Sequence, residues 1–123
     1  MKRDMDLARR ILLATEALEY GKQLKSLPDV PPEQFVVHVI WLKEAGLLDA
    51  VAQAGSGSGA KFAIVQRLTW AGCEFVDAAR NDSLWAKAKD NVIKPGMSFS
   101  FDVLKEWLKA EITQGLPTLR GLA

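Results

Sequence analysis

The stretch Ala50 to Trp70, AVAQAGSGSGAKFAIVQRLTW, decides how the chain is organised. Its middle, Gly55 to Gly59, has the composition of a flexible linker between two domains. A linker should be followed by the start of an independent core, yet Phe62 to Thr69 reads as one strand that cannot stand alone. The nearest partner for it is Leu47 to Gln53. The glycine-serine run is therefore expected to be the mobile tip of a β-hairpin, where glycine supplies positive backbone angles and serine keeps the tip wet. Alternation sets Phe62, Ile64 and Leu68 on one face of the later strand and Ala63, Val65 and Arg67 on the other.

Helices flank this hairpin. Met5 to Leu18 carries Leu7, Ile11, Leu12, Ala14 and Leu18 at helical spacing, and the helix should end near Tyr20 and Gly21. Lys22 to Leu27 reads as an extended piece or a single turn. Pro31 and Pro32 suit a helix start, and a second helix follows from Glu33 to Ala45, closed by Gly46. After the hairpin, Thr69 can cap a helix from Trp70 to Arg80, with Cys73, Val76 and Ala79 spaced for burial. A further helix covers about Ser83 to Ile93. Ser98 or Ser100 then caps a last helix on which Val103, Leu104, Trp107, Leu108 and Ile112 repeat at three-and-four spacing. The fold class is mainly α with a small β-hairpin (α+β). One domain is expected over 1–113 and a flexible tail over 114–123.

Composition narrows the function classes. The chain has 123 residues, 49% of them apolar and 25% charged, which is ordinary for a globular domain. Its formal net charge of +1 gives no global attraction to nucleic acid or to an anionic membrane. No apolar run approaches the length of a membrane span, and Asp4 and Asp6 stand where a signal peptide would be apolar, so a cytoplasmic protein with no membrane partner is expected. One histidine and one cysteine make no metal motif and no internal disulfide. No acid-base or nucleophilic constellation is visible, and the glycine-serine run lacks the lysine of a phosphate-binding loop. We expect no catalysis, no cofactor and no metal.

The segments WLKEAGLL and RLTWAGCEFV add a resemblance. In winged-helix regulators a helix ending in Glu-Ala-Gly-Leu leads into the hairpin, and Leu-Thr-x-x-Gly opens the next helix. Leu42, Glu44, Ala45, Gly46, Leu47, Leu68, Thr69 and Gly72 match that pattern. The whole chain, from MKRDMDLARRILL to SFSFDVLKEWLK, is similar to an uncharacterised domain-of-unknown-function family of small bacterial and phage proteins. The resemblance implies a winged-helix-like domain with additional C-terminal helices and a bacterial or prophage setting, with no activity attached. His38 occupies the place of a histidine in that family's pattern. The long Gly55 to Gly59 tip departs from it and speaks against a wing of fixed, base-reading shape.

A winged helix implies double-stranded DNA as partner, with the second helix in the major groove and the wing along the backbone. The candidate contacts are Arg3, Arg9 and Arg10 near the N-terminus, Gln34, His38 and Lys43 on the second helix, and Lys61 and Arg67 on the hairpin. Between Pro31 and Thr69, however, Lys43, Lys61 and Arg67 are balanced by Glu33, Glu44 and Asp49, so the reading surface is neutral. Only Lys22 to Pro31 separates the first two helices, which leaves little room for a supporting helix. The alternative is a protein-protein or dimerisation module without nucleic-acid binding, with Trp41, Leu104, Trp107, Leu108 and Ile112 as its interface. His38 and Trp41 have a second reading as well, in which Trp41 is buried under the last helices and His38 is hydrogen-bonded at the edge. Trp70, Trp85 and Trp107 read as core or interface packing, and Cys73 as a small core residue. Lys87, Lys89 and Lys94 form either a solvated helix face or a phosphate contact.

Overall fold

The structure is a computed structural model that describes residues 1–55, 61–94 and 100–115. β1 (Leu48–Gln53) and β2 (Phe62–Leu68) pair antiparallel, from Leu48 opposite Leu68 to Gln53 opposite Phe62. The opening stretch is therefore a hairpin, and residues 56–60, where the mobile tip is expected, lie outside the described residues. The expected alternation breaks on β2. Asp49 faces Arg67 but Ala50 faces Val65, so Gln66 is an extra residue with nothing opposite it. This bulge turns Leu68 to the same side as Ala63 and Val65, and all three are buried while Phe62 is exposed. The piece after the first helix is extended: Leu24 N–H donates to Val65 O at 2.9 Å and Val65 N–H to Leu24 O at 2.8 Å. β2 thus has neighbours on both sides.

α1 (Met5–Glu16) begins at Asp4, whose carboxylate accepts the Leu7 N–H at 3.1 Å. It stops short of the expected Tyr20. Thr15 is buried and bonds back to Ile11 O at 2.7 Å, while Leu18 N–H reaches Thr15 O and tightens the last turn. Gly21 serves a separate turn, with φ +85° and Lys22 N–H on Glu19 O at 3.0 Å. α2 (Pro32–Glu44) starts with proline in its first turn and packs on α1, β1 and β2. Ile11, Leu12, Phe35, Val39, Leu42, Leu48 and Val65 fill the core there, and each is at most 2% exposed. Burial of one such side chain contributes about 1.5–3 kcal/mol, which is what selects the inward face of α2.

The chain divides into two compact units, Met1–Val76 and Asp77–Ala123. The division falls within α3 (Trp70–Ala79). In the second unit, α4 (Asp82–Ala88) is capped by Asn81, which accepts the Leu84 N–H at 3.0 Å. A π turn over Lys89–Ile93 continues it, where the Asn91 carboxamide occupies the Lys87 carbonyl at 2.8 Å. α5 (Phe101–Gly115) is capped by Ser100, whose Oγ accepts the Val103 N–H at 3.2 Å; Ser98 lies outside the described residues. α5 packs on α4, with Trp85, Ala88, Leu104 and Leu108 buried. The helix includes 114 and 115, which the sequence assigns to the tail, and 116–123 lie outside the described residues. Cys73 departs from its expected core position, and Trp70 from the core alternative of its expected core or interface packing. Trp70 is 81% exposed and Cys73 is exposed, because they sit on the first turn of α3 and look away from the core that Phe75 and Val76 enter.

Candidate functional site

The residues that carry the winged-helix resemblance meet at one junction. Gly46 has φ +78°, its N–H bonds Lys43 O and the Leu47 N–H bonds Leu42 O, both at 3.0 Å, which closes α2 in the left-handed manner glycine permits. Thr69 then ties the two ends of the hairpin. Its Oγ1 donates to Gly46 O at 2.6 Å and accepts the Gly72 N–H at 3.0 Å, and its own N–H donates to Leu47 O at 3.1 Å. Gly72 is there for space: a Cβ would overlap the Leu47 carbonyl oxygen and stand 3.0 Å from its carbon. Gly46, Leu47, Thr69 and Gly72 of the pattern therefore have structural tasks here, and Leu42 and Leu68 are buried, while Glu44 is exposed.

His38 has one too. It is 2% exposed, and both ring nitrogens are used. Nε2 accepts the Asp4 N–H at 2.9 Å, so Nδ1 must carry the proton that it donates to Gln34 O at 2.7 Å. The imidazole thereby joins the start of α1 to α2 and offers no free nitrogen to a base edge. Trp41 stacks edge-on against it, ring centroids 5.1 Å apart at 81°, and is half-buried.

The other candidate contacts scatter. Arg67 pairs with Asp49, its cross-strand neighbour, at 2.6 Å and donates to Leu68 O at 3.1 Å. Arg10 donates to Pro28 O at 2.8 Å, Arg3 is exposed and Arg9 is half-buried. Gln34, Lys43 and Lys61 are exposed. Of the proposed partner interface, Leu104 and Leu108 are fully buried within the second unit, and Trp107 and Ile112 are half-buried. Among the described residues no group of three His, Cys, Asp or Glu side chains is placed to hold a metal ion, and no helix is long and apolar enough to cross a membrane.

Residues 2–98 match the family model described as "Hypothetical protein (DUF2513)". The chain belongs to the DUF2513 family. It is also 32% identical over 120 residues to an uncharacterized protein of Haemophilus influenzae (strain ATCC 51907 / DSM 11121 / KW20 / Rd), covering 94% of this chain and 99% of that one. No solved structure matches the chain. The DUF2513 match takes in the junction, His38 and both strands, and stops before α5.

One surface of this DUF2513 chain is only partly drawn by its sequence, through Gln34 and Trp41. On the side of α2 away from Phe35, Val39 and Leu42 lie Glu33, Gln34, Val37, Ile40, Trp41 and Glu44. Val37, Ile40 and Trp41 are half-buried, and the charges of the strip are two carboxylates three helical turns apart. The signal was available: a wheel drawn from Phe35 places Glu33 and Glu44 on one line.

Proposed function

We propose that the protein is a non-catalytic module whose first unit is winged-helix-like and docks onto protein through the outward strip of α2. The make-up of that strip carries the reading. A helix laid in the major groove has phosphates along both flanks, and Glu33 and Glu44 would oppose them. A protein partner is suited by the same residues, since Val37, Ile40 and Trp41 supply apolar and aromatic area inside a polar rim. The winged-helix likeness supports the frame: α1, the Leu24 bridge, α2, the hairpin and α3 follow in that order. From Ala17 to Pro31 the chain forms turns and the single bridge at Leu24, where a helix-turn-helix has its supporting helix.

A photo-crosslinking residue at position 37, expressed in bacterial cells, tests this. Protein adducts at 37 that are absent from the same probe at Tyr20 are expected, and sedimentation equilibrium tells a second copy from a different protein. Nucleic-acid adducts at 37 would overturn the reading. Association with double-stranded DNA, as a bacterial or prophage regulator, is the second reading. It is favoured by Lys43 and Lys61, both exposed and without an ion pair among the described residues. A labelled random duplex titrated at several salt concentrations decides it, because each neutralised phosphate steepens the log-log slope by about 0.9.

A further inference from the structure

The segment between α1 and α2 touches β2 at one point and then parts from it. Leu24 and Val65 exchange both backbone hydrogen bonds, and pairing between the two stretches is confined to that bridge. Beyond it the chain turns, with Val30 N–H donating to Leu27 O at 3.4 Å, and enters α2 at Pro32. A groove of about 370 Å³ opens between this segment, the start of α2 and the start of β2. Small-molecule sites occupy about 300–1,000 Å³. Phe35, Val36 and Ala63, each at most 4% exposed, form its floor. Val30, Pro32, Phe62 and Ile64, half-buried or exposed, form its sides. Among the described residues, Lys25 and Lys61 are the only charged side chains that line it, and neither has an ion pair.

We propose that this groove binds an amphipathic carboxylate of the fatty-acid class, its alkyl chain along the apolar sides and its carboxylate at Lys25 and Lys61. Size, surface and charge converge on that ligand. From Lys61 to Ile64 the strand runs about 10 Å at about 3.3 Å per residue. An extended chain advances about 3.5 Å for every three bonds, so about ten carbons span the same length. The sides leave apolar area that an alkyl chain removes from water and a hydrophilic anion does not. Two ammonium groups with no carboxylate among the lining residues favour an anion and oppose a cationic amphiphile. The site uses no residue of the outward strip of α2, so the two proposals fail separately.

The experiment is a titration of the ¹⁵N-labelled full chain with decanoate below its micellar concentration, followed by amide shifts and by calorimetry. We expect saturable shifts confined to the groove, at Ser26, Val36, Lys61 and Ala63. Hexanoate, octanoate and decanoate should bind in rising order, about three-fold or more tighter for each two carbons added. The Lys25→Glu/Lys61→Glu double variant, which changes exposed side chains only, should keep its dispersed spectrum and weaken decanoate binding at least about ten-fold. Decyltrimethylammonium, with the same chain and the opposite charge, should leave the groove unshifted. Absence of saturable shifts, insensitivity to the charge reversal, or equal binding of the cationic amphiphile would each overturn the proposal. Shifts spread over exposed apolar residues elsewhere, such as Val51 and Trp70, would overturn it as detergent-like adsorption. Displacement of decanoate by an equimolar capped peptide of alternating Glu and Val would overturn it too, by assigning the groove to a protein segment.

Discussion

The Gly46–Thr69–Gly72 junction and the outward strip of α2 share one helix but are specified in opposite ways. At the junction each conspicuous residue answers a local demand: a left-handed backbone, a hydroxyl that serves two backbone groups, a missing side chain where two segments touch. On the strip Trp41 stacks on His38, Gln34 gives its backbone carbonyl to the same ring, and the side chains of Glu33 and Glu44 are exposed. The difference teaches that the pattern giving the family resemblance reports mainly the fold, since all of its residues but Glu44 lie at the junction or in the turn and core that join it. Function has to be sought on surfaces whose residues the fold leaves unused.

The comparison breaks first at Gly72. Gly72→Ala puts a methyl group into the Leu47 carbonyl, and since both neighbours are backbone the strain cannot relax by a rotamer change. We expect a loss of about 3 kcal/mol or more, seen as a fall in Tm on the order of 10 °C by circular dichroism. An unchanged Tm would mean that α3 and the hairpin corner do not approach as described. Next comes His38→Leu. The isosteric apolar side chain strands the Asp4 N–H and frees the start of α1, for a cost of about 1–3 kcal/mol by urea unfolding. Faster hydrogen exchange confined to the first turn of α1 would locate the effect.

Gly46→Ala keeps every hydrogen bond but forces a side chain into the left-handed region, at about 1–2 kcal/mol. Gly46→Asn should cost less, since asparagine tolerates that conformation. Equal losses for the two would show that crowding, and not the backbone angle, sets the requirement.

These sites also show which parts of the fold are legible in sequence. The end of α2 at Gly46, the cap at Thr69 and the hairpin itself follow from local codes, namely chain periodicity and the few residue types that satisfy a helix end. The bulge at Gln66 and the bridge at Leu24 do not, because each is settled by a segment distant in sequence, and the early end of α1 turns on a buried threonine bonding back to its own helix, which periodicity does not show. His38 is the clearest case. Its Nε2 is satisfied by a backbone N–H, and a backbone group carries no residue signature. Trp70 and Cys73 follow the helical period of α3 yet start it outside the core, so period alone misplaces them. The strip of α2 is within reach of a helical wheel.

The smallest expected effect on stability carries the most about function. Glu33 stands in the first turn of α2, where its charge favours the helix dipole, and Glu44 ends the helix, where its charge opposes it. Removing either changes stability by about 0.3–1 kcal/mol in opposite directions, so the Glu33→Gln/Glu44→Gln double variant should unfold within about 0.5 kcal/mol of the unmodified chain. The same variant strips the carboxylates from the strip. If α2 meets protein, duplex anisotropy stays flat at low salt in both chains and the crosslinks at position 37 change in yield. If α2 meets DNA, the carboxylates are what hold the phosphates off, and their removal must strengthen duplex binding. A double variant that is as stable as its parent yet binds duplex more tightly would move the function of this surface to nucleic acid.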